Sequence, residues 1–182
     1  DIRRTFQNPR LVPMEFNRFV HTRGRRWKYN HAGMNVLSED WDTLLILDAC
    51  RYDMFAEISS LPGNLEERIS VGSNTYEWLR GTFDGQDLQD TIYVTANPQL
   101  YRINEGIYDI SESIDVSFYD VVELWDECWD DNFQTVRPKT VSDTVMDIYN
   151  KYPNKRLIVH FVQPHFPFIG PTGQEHFAVD HF

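Results

Sequence analysis

Five side chains have the chemistry to act together on an anion: Asp48, Arg51, Thr75, Asn97 and His165. Asp48 closes the apolar run TLLILD (43–48). A carboxylate ending a buried segment is costly unless it is hydrogen-bonded, paired or bound to a metal. Three readings stay open for it: a divalent-metal ligand, a cap on the helix that follows, or a partner for Arg51. Thr75 ends GSNT (72–75), a run of helix-opening residue types. At a helix N-terminus the free N–H groups and the dipole favour an anion and can activate a hydroxyl as a nucleophile; the simpler role of a threonine there is to cap the helix. His165 stands between Pro164 and Pro167 in an aromatic corner. Held stiffly, its imidazole can donate to an anionic substrate or leaving group, though such histidines also serve packing. Arg51 offers its guanidinium to a carboxylate or an anion.

The elements that must position these groups follow from the apolar pattern. LLILDA (44–49) and RLIVHFVQP (156–164) are continuous apolar runs of strand length, as expected of strands buried on both faces of a parallel sheet. TIYVTAN (91–97) is a β-branched strand ending at Asn97, and SFYDVVELW (117–125) reads as a further strand, with a helix as the alternative. Helices are predicted over 51–60, from Thr75 to Thr82, and over 138–152, where Pro138 lies near the start and Val141, Val145 and Ile148 share a face. Strands alternating with helices predict an α/β fold, with ligands beyond the carboxyl ends of the strands. That rule puts Asp48, Asn97 and the Gln163–His165 corner on one rim. His160, inside its strand, reads as buried structure.

The chain of 182 residues is 41% hydrophobic, enough for one packed domain rather than a disordered segment. Its charge is divided: residues 1–33 carry seven Arg and one Lys against Asp1 and Glu15, a net +6 in a chain of net -11. We therefore divide it into a basic N-terminal arm (1–33) and an acidic α/β domain (34–182). The arm either touches an anionic membrane surface or polyanion, or wraps back onto the acidic body. Within it, 13–22 has the spacing of a short amphipathic helix. The acidic body argues against nucleic acid as a partner. Excess Asp and Glu, with 13 Arg to 4 Lys, is the composition of a salt-adapted protein. No apolar run reaches the roughly 20 residues of a membrane span, and no signal core is present, so the expected location is cytoplasmic. Cys50 and Cys128 have no metal-binding or disulfide spacing and are expected to be small buried thiols.

Taken in order, LILDACRYDMF, GSNTYEWL and IVHFVQPHFPFIG resemble the N-terminal part of sulfatase-like hydrolases of the alkaline phosphatase superfamily, particularly their archaeal branch. The resemblance spans residues 40 to 171. It implies a three-layer sandwich around a mostly parallel sheet, incomplete at its C-terminus, and a reaction at phosphate or sulfate esters. It further implies a divalent metal (Zn, Mn, Mg or Ca) on Asp48 and Thr75, with Thr75 as nucleophile and His165 at the substrate. Cys50 lies in CRYDM and not in the CxPxR-type motif that matures to formylglycine, so Thr75 looks more like the nucleophile of the phosphate-transferring members. The family's second metal-binding half, with its DHG-type motif, has no counterpart, since Asp180-His181 lacks the glycine. The chain is accordingly expected to be part of a longer enzyme. Two rivals stand beside the enzyme: a catalytically inactive binding or scaffold domain of the same fold, and a flavodoxin-like nucleotide module, which would lack a glycine-rich phosphate loop.

Overall fold

A computed structural model describes residues 29–107 and 112–177. The helix expected over 13–22 and the Asp180-His181 pair lie outside the described residues. Four strands, β1 (Thr43–Leu47), β2 (Gln86–Thr95), β3 (Val116–Glu123) and β4 (Arg156–Phe161), form one sheet in the order β1-β4-β2-β3. Every neighbouring pair is parallel. The helices are α1 (Tyr52–Ile58), α2 (Thr75–Phe83), α3 (Gln99–Asn104), α4 (Leu124–Glu127), α5 (Pro138–Lys151) and α6 (Pro171–His176). Among the described residues no helix is long and apolar enough to cross a membrane.

Side chains of a strand alternate between faces, so the sheet has two cores. Tyr93 and Ile158 meet Leu79 and Phe83 of α2 and Leu100 and Ile103 of α3 on one face. Val94, Leu157 and Val159 meet Val141, Val145 and Ile148 of α5 on the other. The result is an α/β protein of three layers. Arg80 fastens α2 in place: it is buried, yet its guanidinium donates to Tyr76 Oη, to Asp84 and to the carbonyls of Glu112 and Ser113. A buried cation with its donors so occupied is not a flaw in the core.

Three expectations need correction. β1 is not buried on both faces: it pairs with β4 alone, at the sheet edge, and exposed and half-buried residues alternate along it. Leu44 and Ile46 pack on the α2 side, whereas Leu45 (56% exposed) and Leu47 (38%) point to the α5 side, beyond the strip that α5 covers. Cys50 and Cys128 are partly exposed rather than buried. β2 also begins earlier than Thr91; its polar first half pairs with β3 through a register shift after Leu88.

Candidate functional site

One rung of the sheet aligns Ile46 of β1, His160 of β4 and Thr95 of β2. Asp48 lies two residues beyond Ile46 and Asn97 two beyond Thr95, so both emerge from the carboxyl rim on the α2 face. There Asn97 Nδ2 donates to Asp48 Oδ2 over 2.8 Å. Asn97 is buried and pinned in turn: its N–H donates to Thr95 Oγ1 and its Oδ1 accepts from Gln99 N. Ala49, directly after Asp48, turns the chain sharply at φ 60, and its N–H donates to the Asp48 carboxylate.

Thr75 arrives from α2. The cap of this helix is Asn74, whose Oδ1 accepts from Glu77 N at 3.0 Å. Thr75 is thus the first helical residue rather than the cap, and its hydroxyl is left for another task. It faces Asp48, with Oγ1 at 3.4 Å from Oδ1 and 3.3 Å from Oδ2. Gly72 lets the loop before α2 pass close to that helix, because a Cβ there would fall on the backbone of Trp78.

The other open readings of Asp48 are closed by these contacts. Arg51 does not pair with it: the guanidinium grips Asp53 through two bonds of 2.9 and 2.7 Å. Nor does Asp48 cap α1, whose N-cap residue is Arg51 with no side-chain cap. His165 is tied to the site through its backbone, its N–H donating to Asp48 O at 3.1 Å and to Val162 O at 3.0 Å. Its side chain is exposed at the rim, and since a carbonyl can only accept, Nδ1 donates its proton to Phe166 O over 2.6 Å. That leaves Nε2 with its lone pair when the ring is neutral.

These residues line an open cleft of about 480 Å³. Among the described residues that line it, Asp48 is the only carboxylate, beside Arg51, His165, Ser73 and the first residues of α2. Burial pushes the Asp48 carboxyl above its ordinary value, against the opposing pull of a charged His165 and of the hydrogen bonds from Thr75, Ala49 and Asn97. The Cys50 thiol, also on the cleft wall, is pushed up by burial, which lowers its thiolate fraction.

Asp48 and Thr75 are the residues that could hold a hard cation. Their separation is long for an O–H···O bond, which prefers about 2.7–2.8 Å. It matches two adjacent oxygens on an octahedral ion, roughly 3.0–3.4 Å apart for bonds of about 2.1–2.4 Å. Among the described residues no three of His, Cys, Asp and Glu converge on a metal-sized point. The two oxygens therefore fit a divalent ion as an incomplete donor set.

The carboxyl rim thus brings Asp48 and Asn97 into contact, Thr75 joins Asp48 from the N-terminus of α2, and His165 and Arg51 stand on the wall. What it does not single out is His160, which is buried as expected but also forms part of the cleft floor. Its parity with Asn97 and Asp48 is the signal that would find it, once the strand order is known. Compared with protein-family models, curated proteins and solved structures, the chain has no significant match.

Proposed function

We propose that the chain carries the nucleophile-bearing part of a metal-dependent hydrolase or transferase acting on phosphate or sulfate esters, built on an alkaline phosphatase-like plan. The observation that carries this reading is the Thr75 hydroxyl, released from capping by Asn74 and set 3.3 Å from Asp48 at the N-terminus of α2. The order of the LILDACRYDMF, GSNTYEWL and PHFPF segments, and their resemblance to sulfatase-like hydrolases, supports it.

In the reaction, Thr75 Oγ1 attacks the phosphorus or sulfur of the ester as its proton passes to the Asp48 carboxylate and the bond to the leaving oxygen breaks, and N–H groups at the start of α2 face the non-bridging oxygens. A divalent ion on Asp48 and Thr75 would lower the pKa of the hydroxyl and offset charge on the transferring group. Asn97 and Ala49 hold the Asp48 carboxylate in one orientation toward Thr75. In its protonated form His165 can donate from Nε2 to the leaving oxygen, because Nδ1 is already committed to Phe166 O. The ester on Thr75 is then released to water or passed to an acceptor alcohol.

The incomplete donor set favours a second reading, a binding or scaffold domain of the same fold without turnover. One experiment separates the two. The protein, and a longer chain if the gene continues, is assayed on p-nitrophenyl phosphate, p-nitrophenyl sulfate and a phosphodiester analogue, with added Mn, Mg, Ca or Zn. The expected outcome is metal-dependent turnover that Thr75→Ala lowers by about a thousandfold or more. Turnover unchanged by Thr75→Ala would sink the mechanism, and anion binding without turnover would favour the binding domain.

A further inference from the structure

His160 sits in the middle of β4, the strand flanked by β1 and β2, and is 1% exposed. Its Nδ1 lies 2.7 Å from the hydroxyl of Tyr93 on the neighbouring strand, and the Trp78 ring packs 6.0 Å away, centroid to centroid. The ring nevertheless forms part of the floor of the cleft that holds Asp48 and Thr75. Its second nitrogen, Nε2, has no hydrogen-bond partner among the described residues. Nor is Nε2 sealed in a dry wall: among the described residues the sealed side-chain polar atoms without a partner are Trp125 Nε1 and Gln163 Oε1. A side chain almost wholly buried thus turns one unpaired polar atom toward the cleft.

Which form of the ring does so follows from Tyr93. A buried hydroxyl must place its proton on an acceptor. Thr95 Oγ1, the next hydroxyl on that face, donates to Asn97 O at 2.8 Å and accepts from Asn97 N at 3.0 Å, which leaves it a single lone pair for Tyr93. Nδ1 of a neutral imidazole is the better acceptor, and with Tyr93 donating to it the ring proton belongs on Nε2. Burial keeps the ring neutral, with its pKa pushed down to about 4.

We propose that His160 is a neutral hydrogen-bond donor to the tetrahedral oxyanion group bound in this cleft, its Nε2 proton fixed toward the ligand by Tyr93. Tyr93 is the positioning residue. The pair differs from His165, whose Nδ1 proton is held by Phe166 O and whose Nε2 must gain a proton before it can donate. Being neutral, the His160 donor does not depend on charge in the neutral pH range. The inference deepens the ester-site reading and rests on it.

The test is ¹⁵N NMR of the intact chain at pH 7, with inorganic phosphate titrated in the presence of Mg. The expected result is a His160 ring protonated on Nε2 alone, whose Nε2–H signal moves with phosphate in step with the Asn74 and Thr75 amides. His160→Phe should weaken phosphate binding about tenfold, the worth of one donor to an anion, and His160→Gln should recover part of that loss. Tyr93→Phe should weaken binding several-fold and let the ring sample its other tautomer. A ring protonated on Nδ1 overturns the inference, as does phosphate that moves the Asn74 and Thr75 amides but not His160. Phosphate that moves none of them overturns the ester-site reading as well. Because the wild-type spectra decide the matter, a variant that fails to fold does not.

Discussion

β1 and β4 are neighbours of similar composition, TLLIL beside RLIVHF, joined in a continuous parallel ladder from Thr43–Leu157 to Leu47–Phe161. They live in different surroundings. Leu157, Ile158 and Val159 of β4 are at most 1% exposed, covered by α2 on one side and α5 on the other, while Leu45 of β1 is 56% exposed. The difference teaches that cover, not composition, decides what an apolar strand contributes. β4 is the beam of the fold, and β1 is the arm that carries Asp48 to the rim. The largest expected effect follows. Ile158→Ala should cost about 2–5 kcal/mol, as for other buried large-to-small changes, and Leu45→Ala less than about 1 kcal/mol. Urea denaturation midpoints measure both, and equal losses would break the contrast.

The second way to sharpen it is pH. On the shared rung, β4 carries His160 where β1 carries Ile46. The folded His160 has its pKa lowered to about 4 from an ordinary 6.5, because burial disfavours the imidazolium. The unfolded chain therefore takes up the proton first. Stability is fully present above about pH 6.5 and falls as pH drops toward about 4, by roughly 3 kcal/mol for this group. Asp48 has the opposite sign: its carboxyl is raised by burial, so the folded state gains as that group protonates at the acid end. Denaturation at several pH values with the wild type and His160→Gln isolates the histidine. The stability advantage of the wild type should shrink between pH 6.5 and 4, and a constant difference would remove His160 as the cause.

Much of this arrangement was legible in the sequence, for identifiable reasons. The bounds of α2 and α5 and the start of β4 follow from period and from Pro138 and the GSNT cap run, because local preference and packing agree there, whereas β4 ends at Phe161 and not at the expected Pro164. The meeting of Asp48 and Asn97 follows from the rule for carboxyl ends of parallel strands, and Thr75 was legible only as a residue of the helix-opening GSNT run. The edge position of β1 was not legible, since apolar residues on both faces look the same whether or not a helix covers them. The polar first half of β2 was hidden because its residues form the ladder with β3 through backbone groups that any sequence carries. The place of His160 in the cleft needed strand order and register, which are contacts distant in sequence.

The smallest effect concerns the turn where β1 hands Asp48 to the site. Ala49 adopts φ 60, a left-handed conformation that costs an L-residue about 1 kcal/mol and glycine almost nothing. Ala49→Gly should relieve that cost, and the greater freedom of glycine in the unfolded chain takes part of the gain back. The net expectation is a stabilisation of less than about 1 kcal/mol, read as a slightly higher melting temperature. The site should respond in the other direction. Ala49 donates its N–H to the Asp48 carboxylate, and Asp48 O receives the N–H of His165, so this turn sets the aim of the carboxylate toward Thr75. A looser turn should therefore weaken Mn binding by a few-fold while the fold gains. Stability rising with Mn affinity unchanged would mean that the strain at Ala49 plays no part in the site. Then the pairing of Asp48 with Asn97 at the end of β2, rather than the turn at the end of β1, would be what fixes the carboxylate.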